Sequence, residues 1–217
     1  MSNKKIQIID AESNDFSLVY NIYDLYGKLN CLYKYYNNND NTFEANEVVE
    51  NIYIGNINSV YDIKSLKDTG ITHIISVIAG FVPPYPEDFE YLVINAIDNL
   101  NTDFSKNFEV ANEFINKDFE STKKILIHCQ AGRSRSATIL AAYIIKTFGM
   151  DVKNTLNLLT SKRDIIKPND SFLIQLENYY NDIYKKEDNS GDDESDDYND
   201  DDDNDEKNDN KEYMIVI

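Results

Sequence analysis

The sequence is poor in cysteine, in basic residues and in long apolar runs, and each shortage excludes a class of protein. Its 217 residues include two cysteines, Cys31 and Cys129, too few for a disulfide framework. No run approaches the roughly 18 apolar residues that a membrane span needs. The first residues lack the apolar segment of a signal peptide. We therefore expect a protein of the reducing cytoplasm that does not bind membranes.

Basic residues are outnumbered by acidic ones, 21 against 39, which gives a net charge of −18. Residues 186–217 contain 15 of the acidic residues but three of the basic ones, so they carry −12 of that charge. Such a run cannot bury a core, and we predict a disordered acidic tail that could contact a basic partner. The remainder has no positive excess with which to bind a phosphate backbone, so no nucleic-acid partner is expected.

The chain divides by composition into three segments. Residues 1–44 form an N-terminal extension that ends in a polar linker, NNNDNT, residues 45–185 form the folded core, and residues 186–217 are the tail. The extension contains one predicted amphipathic helix, indicated by apolar residues at helical spacing: Leu18, Ile22, Leu25, Leu29 and Leu32. The sequence leaves open whether this helix packs on the core or on a second copy, and so leaves the oligomeric state open.

Within the core, apolar strand patterns alternate with helical patterns. The predicted strands are VVENIYIG, ITHIISVIAG, YLVINAI and KKILIHC. The predicted helices are VYDIKSLKDTG, SKNFEVANEFINKDFES, SATILAAYIIKTFGM, VKNTLNLLTSKRD and SFLIQLENYYNDIYKK, the last with Asp170 or Ser171 as its N-cap. This alternation predicts an α/β fold whose central, mainly parallel sheet is flanked by helices.

The segment LIHCQAGRSRSATI, residues 126–139, leaves a strand and enters a helix. Backbone N–H groups in such a loop converge on one point, where the helix dipole adds positive potential, so the loop is suited to bind a phosphate. Gly132 allows the backbone to curl, and Arg135 can bind two phosphate oxygens at once. The predicted contacts to phosphate come from the loop residues Gln130, Ala131, Gly132, Arg133 and Ser134.

The same positive field favours a thiolate at Cys129, which makes it a nucleophile for attack on phosphorus. Ser136 follows closely and can donate a hydrogen bond to the sulfur. A leaving oxygen needs a proton, and Asp98 at the end of the strand YLVINAI is the first candidate for the acid, with Asp103 as the weaker one. This chemistry needs no metal and no cofactor.

Four further residues receive structural roles. We expect His128 to order the loop by hydrogen bonding and His73 to be a structural residue of its strand. We expect Arg163 and Asn169 to fix the connection between the last two helices.

The spacing of one cysteine, five residues and one arginine, in HCQAGRSRSAT, resembles the signature of the dual-specificity protein phosphatases, which belong to the cysteine-based protein tyrosine phosphatase superfamily. The likeness extends over roughly residues 46–185 and includes VVENIYIGN, GITHIISV and RDIIKPNDSFLIQLENYY. It implies a protein-tyrosine-phosphatase-like fold, a catalytic domain at residues 45–185, and phosphorylated proteins as partners. It also implies that Cys129 is the nucleophile, Arg135 binds phosphate, Asp98 is the acid and Ser136 assists the thiolate.

Arg133 departs from the family pattern, because that position is often apolar, and its charge suggests attraction for phosphate or acidic substrates. Two alternatives stay open at this stage. One is a phosphatase for a non-protein substrate, such as an RNA 5′ end or a phosphoinositide. The other is a module that binds phosphoproteins without hydrolysing them.

Overall fold

The structure is a computed structural model, and it describes residues 5–13, 17–37, 42–117 and 123–185. The strands of this part of the chain are β1 (Ile6–Asp10), β2 (Glu12–Ser13), β3 (Ala45–Val49), β4 (Ile52–Gly55), β5 (His73–Val77), β6 (Glu90–Asn95), β7 (Thr102–Asp103) and β8 (Ile125–His128). The helices are α1 (Ser17–Tyr36), α2 (Ile57–Tyr61), α3 (Ile63–Thr69), α4 (Ser105–Asn116), α5 (Arg135–Phe148), α6 (Val152–Lys162) and α7 (Asp170–Tyr184).

A six-stranded sheet forms the centre of the fold, in the order β1-β6-β5-β8-β4-β3. All of its neighbouring strands are parallel except β3 and β4, which pair antiparallel. Every residue of β8 is buried, in keeping with the continuous apolar runs of parallel sheets that are covered on both faces. The prediction of a mainly parallel sheet with flanking helices is confirmed.

The C-terminal helices pack around α5. Residues 136–145 of this helix are all buried, as its almost continuous apolar sequence predicts. It contacts α4, α6 and α7 and lies against β8 and β4. The helix that follows the phosphate-binding loop is therefore held firmly by the core.

Three predicted elements differ from the structure. The segment VVENIYIG is not one strand but the hairpin β3–β4, which turns at Asn51 with a φ of 64°. The segment VYDIKSLKDTG contributes to two short helices, α2 and α3, which are capped by the side chains of Asn56 and Asp62. The N-cap of α7 is Asn169, whose Oδ1 accepts from the backbone N–H of Phe172 at 3.0 Å, and not Asp170 or Ser171.

The N-terminal segment contributes more than the predicted helix. The helix is present as α1, but the segment before it forms β1, which pairs with β6 and becomes an edge strand of the central sheet. Residues 186–217, the predicted tail, and most of the linker NNNDNT lie outside the described residues. No helix of the described part is long and apolar enough to cross a membrane.

Helix α7 offers a direct test of the packing. Leu176 is fully buried in it, whereas Ile174 on the same helix is 62% exposed. Leu176→Ala should lower the free energy of unfolding by about 2–5 kcal/mol, because it removes buried methyl groups and leaves a cavity. Ile174→Ala should change it by less than about 0.5 kcal/mol. Urea denaturation measures both values, and equal effects would contradict the described packing of α7.

Candidate active site

The loop between β8 and α5 lies at the edge where three parallel strands end. Gly55 of β4 and Ser76 of β5 both pair with His128, the last residue of β8, so the carboxyl ends of β4, β5 and β8 meet there. This is the edge at which open parallel sheets bind ligands. Cys129 is the first residue of the loop, and Arg135 is the first residue of α5.

Gly132 is required by the shape of the loop. Its φ is 65°, in the left-handed region, and a Cβ atom on it would lie 2.5 Å from the backbone oxygen of Gly55. Any side chain here would push the loop away from β4, since that distance is well inside van der Waals contact. The curl predicted from the sequence at Gly132 is therefore fixed by close packing against the neighbouring strand.

The thiol of Cys129 is buried, with 1% of the residue exposed. The hydroxyl of Ser136 donates to its sulfur at 3.2 Å. Burial raises the pKa of the thiol, but the positive charge of Arg135 and hydrogen bonds from Ser136 and from the backbone N–H of Arg133 lower it further than burial raises it. The net result is a pKa below the ordinary value, so the thiolate is favoured.

Arg135 is oriented by the backbone next to β6. Its Nη1 donates to the carbonyl oxygen of Ala96 at 3.0 Å. Its Nε is buried and makes no hydrogen bond with any described residue, although it lies 3.5 Å from Oδ2 of Asp98. This leaves an N–H group of a fixed guanidinium without a hydrogen bond, as expected of a group that binds an oxyanion.

Asp98 is held beside Arg135 by two donors. Its Oδ1 accepts from Ser134 Oγ at 3.0 Å and from Asn169 Nδ2 at 3.0 Å. Asp103, the weaker candidate, instead accepts a hydrogen bond from the N–H of Ser105 at 2.8 Å at the start of α4. Of the two candidate acids, Asp98 is therefore the one that shares a cleft with Cys129.

Asn169 and Arg163 do more than fix the connection between α6 and α7. Asn169 caps α7 but also binds Asp98. Arg163 is 7% exposed and donates from Nε to the carbonyl oxygen of Gly132 at 3.0 Å, from Nη2 to that of Ala131 at 3.4 Å, and from Nη1 to Oδ1 of Asn46 at 2.8 Å. By binding the loop carbonyls it fixes the loop backbone whose N–H groups would face an anion.

Sequence reasoning missed these contacts, because both residues lie more than 30 positions along the chain from their partners in the site. The signal available in the sequence was an arginine and an asparagine on either side of the short connection DIIKP.

We expected His128 to order the loop, and its ring instead contacts the neighbouring strand. Its ring Nε2 lies 2.7 Å from the hydroxyl oxygen of Ser76, which joins β8 to β5 across the sheet. Burial lowers the pKa of the imidazole to about 3, and the nearby charge of Arg135 lowers it as well. The ring is therefore neutral at neutral pH. His73, in β5, lies near Glu90 of the neighbouring strand with 3.7 Å between Nε2 and Oε2, away from the cleft.

A cleft of about 520 Å³ lies over Cys129 and Arg135. Of the predicted phosphate-contacting residues, Ala131, Arg133 and Ser134 line it, whereas Gln130 and Gly132 do not. The carbonyl of Gln130 accepts from the N–H of Ile57 at 3.2 Å. The other lining residues are Asp98, Leu100, Lys167, Pro168, Asn169 and Asp170. No cluster of three or more potential metal ligands occurs in the described ranges.

Two cations stand together at this cleft. Lys167 and Arg133 both line it, and the backbone N–H of Lys167 donates to the carbonyl oxygen of Arg133 at 2.9 Å. Neither side chain forms an ion pair with a described carboxylate. The two positive charges are therefore available to a ligand.

Comparisons with known proteins show which family and which fold the chain resembles. Residues 52–182 match the family described as dual specificity phosphatase, catalytic domain. The chain is 35% identical over 136 residues to dual specificity protein phosphatase 1B of Arabidopsis thaliana. The matched region covers 63% of this chain and 81% of that protein. It is 37% identical over 148 residues to a probable dual specificity protein phosphatase of Dictyostelium discoideum, covering 67% of each.

The fold is also similar to a solved structure. The crystal structure of the human tyrosine phosphatase-like serine/threonine/tyrosine-interacting protein matches with a TM-score of 0.62 at 32% identity. The match covers 66% of this chain and 99% of that one. The matched architecture is the same mixed α/β fold with a central, mostly parallel sheet.

The environment of Cys129 predicts the pH dependence of its alkylation. Alkylation by iodoacetamide, followed at the Cys129 peptide by mass spectrometry, should titrate with a midpoint below the roughly 8.5 of a free cysteine. Ser136→Ala should raise this midpoint, because the thiolate loses a hydrogen-bond donor. Ser134→Ala is the matched control, since its hydroxyl binds Asp98 and not the sulfur. An unchanged midpoint in Ser136→Ala would contradict the assigned cause.

Proposed function

The chain belongs to the dual specificity phosphatase family, and from that premise we propose that it hydrolyses phosphotyrosine and phosphoserine or phosphothreonine esters of proteins through a phosphocysteine. One observation carries the proposal. The thiol with a lowered pKa, Cys129, shares one cleft with the guanidinium of Arg135 and the carboxylate of Asp98. The proposed nucleophile, anion-binding group and proton donor thus line one cleft. The proposed catalytic domain is residues 45–185.

In the first step, the sulfur of Cys129 forms a bond to phosphorus while the bond from phosphorus to the ester oxygen breaks. Arg135 and the backbone N–H groups of the loop stabilise the negative charge on the three remaining phosphate oxygens. Asp98, in its protonated form, gives its proton to the departing oxygen. The products are the dephosphorylated side chain and phosphocysteine.

In the second step, water attacks the phosphorus of the phosphocysteine. Asp98 is now a carboxylate and takes a proton from that water. The bond between sulfur and phosphorus breaks, inorganic phosphate leaves, and the thiolate returns. The hydrogen bond from Ser136 stabilises the sulfur as it departs, and neither step requires a metal or a cofactor.

The cations Arg133 and Lys167 support a substrate with additional negative charge. They line the cleft beside the phosphate-binding loop and face no carboxylate partner among the described residues. Acidic residues next to the phosphorylated residue of a protein would meet them. A thiolate nucleophile also requires reducing surroundings, so the proposal includes a cytoplasmic location.

Binding without hydrolysis is the competing function. The similar human protein is described by its name as tyrosine phosphatase-like and as interacting. The presence here of Cys129 with its hydrogen bond from Ser136 favours hydrolysis over capture, because simple binding does not require an activated thiol.

The roles of Cys129 and Asp98 can be tested with two aryl phosphates of different leaving-group acidity, in the presence of a chelator. Cys129→Ser should abolish turnover, because the hydroxyl is a much weaker nucleophile. Asp98→Asn should lower kcat by roughly 10²–10⁴-fold for the poorer leaving group. The loss should be smaller for the better leaving group, which needs less protonation.

Asp103→Asn is the matched control for the acid. It removes a carboxyl group from the weaker candidate while keeping an acceptor for Ser105, so kcat should stay within about twofold of the parent. Turnover in Cys129→Ser, or equal losses in the two aspartate variants, would refute the mechanism. A parent enzyme that binds phosphopeptides but hydrolyses none would favour the binding module.

The two cations at the cleft, Arg133 and Lys167, lead to a prediction about substrate preference. Phosphotyrosine peptides flanked by glutamate should have a higher kcat/KM than alanine-flanked peptides. The ratio of kcat/KM for glutamate-flanked peptides to kcat/KM for alanine-flanked peptides should fall by roughly 1.5- to 5-fold in Arg133→Ala and in Lys167→Ala. This is the usual range for an exposed ion pair. Lys153→Ala, an exposed lysine of α6, is the control and should leave the ratio unchanged. A ratio that does not depend on Arg133 or Lys167 would contradict this preference.

A further inference from the structure

Helix α1 packs on the domain with its small and polar side. A Cβ atom on Gly27 would lie 2.0 Å from the carbonyl oxygen of Ala79, so the helix backbone touches the loop after β5 directly. Cys31 is buried against the same loop, where its sulfur accepts from the N–H of Val82 at 3.5 Å. Lys34 donates to the side chain of Asn58. These contacts fix which side of α1 faces the domain.

The opposite side of α1 is apolar and exposed. At roughly 100° per residue, seven large side chains fall within an arc of about 120° that is centred opposite Gly27 and Cys31. Each is more than half exposed: Ile22, Leu25, Tyr26, Leu29, Leu32, Tyr33 and Tyr36. We name this surface the α1 arc. No other described element covers it, although an amphipathic helix normally buries its apolar face.

The spacing within the α1 arc is that of a helix-pairing surface. Ile22, Leu25, Leu29, Leu32 and Tyr36 are separated by alternating intervals of three and four residues. This is the a and d spacing of a heptad, which places the apolar side chains along one seam that a second helix can bind.

We infer that the α1 arc binds the α1 arc of a second copy of this chain, so that the protein is a homodimer. The inference is independent of the phosphatase proposal, because it uses no residue of the cleft. The seam is centred on Leu29, and a twofold axis that passes near that residue lays one seam along the other whether the helices run parallel or antiparallel.

The absence of charge on the α1 arc permits a second copy as the occupant. The chain carries a net charge of −18, so two copies repel each other over most of their surfaces. The α1 arc contains no carboxylate. The one acidic residue of α1, Asp24, lies outside the arc and pairs with Lys28 at 2.7 Å. An uncharged surface is where two such acidic chains can meet.

The area of the α1 arc is also suitable for the interface of a homodimer. Seven large apolar and aromatic side chains, each more than half exposed, present roughly 800 Å², about one partner's share of a standard interface. Tyrosine, which supplies three of the seven, is enriched at protein interfaces.

Sedimentation velocity of the full chain, from about 1 to 100 µM, tests the inference. The parent should be a dimer over most of this range. Leu29→Glu should raise the dissociation constant by roughly 100-fold or more, because it buries two like charges at the axis. Ile174→Glu is the matched control, since it charges an equally exposed apolar residue on α7 and should leave the dimer intact.

A mixing experiment separates a lost interface from a misfolded chain. Leu29→Glu and Leu29→Lys should each be monomers with the parent's circular dichroism spectrum, and an equimolar mixture should recover a dimer. Three outcomes would overturn the inference: a parent that stays monomeric at 100 µM, a dimer that Leu29→Glu does not weaken, or an equal effect of Ile174→Glu.

Discussion

The structure around the loop depends on lowering the pKa of a thiol that is almost entirely buried. Burial of Cys129 works against the thiolate, and the protein offsets this with the charge of Arg135, the hydroxyl of Ser136 and backbone N–H groups. Those groups act only at short range, so the loop backbone must stay in one conformation. The packing of Gly132 on Gly55 and the hydrogen bonds from Arg163 supply that rigidity. The same fixed donors are suited to a bound phosphate.

How much could be predicted from the sequence follows from how local each interaction is. Cys129, Arg135 and Ser136 lie within seven residues on one strand, loop and helix, so their proximity follows from the chain itself. Asp98 could be placed because neighbouring parallel strands end at the same edge of a sheet. The hairpin β3–β4 was misread because its turn, at Glu50 and Asn51, interrupts an otherwise apolar run, although asparagine tolerates the left-handed φ of this turn.

The remaining features depend on contacts between distant segments. The strand β1 looks like any short apolar run, and only its pairing with β6 makes it part of the sheet. Helix periodicity predicted α1 but not which side packs on the domain. That side is chosen by Gly27 and Cys31, whose small size allows the backbone to approach the loop at Ala79. The apolar stripe alone would predict that the apolar side of α1 packs on the domain.

The contacts of Arg163 have a consequence for the newly made chain. This residue reaches Asn46, 117 positions away, and Gly132, 31 positions earlier in the sequence. During synthesis Cys129 therefore leaves the ribosome before the arginine that fixes its loop, and before the asparagine that holds Asp98. Until the whole sheet has closed, Cys129 is an ordinary thiol in an unfolded loop, with a pKa of about 8.5. Its lowered pKa therefore belongs to the completed fold and not to the strand and loop alone.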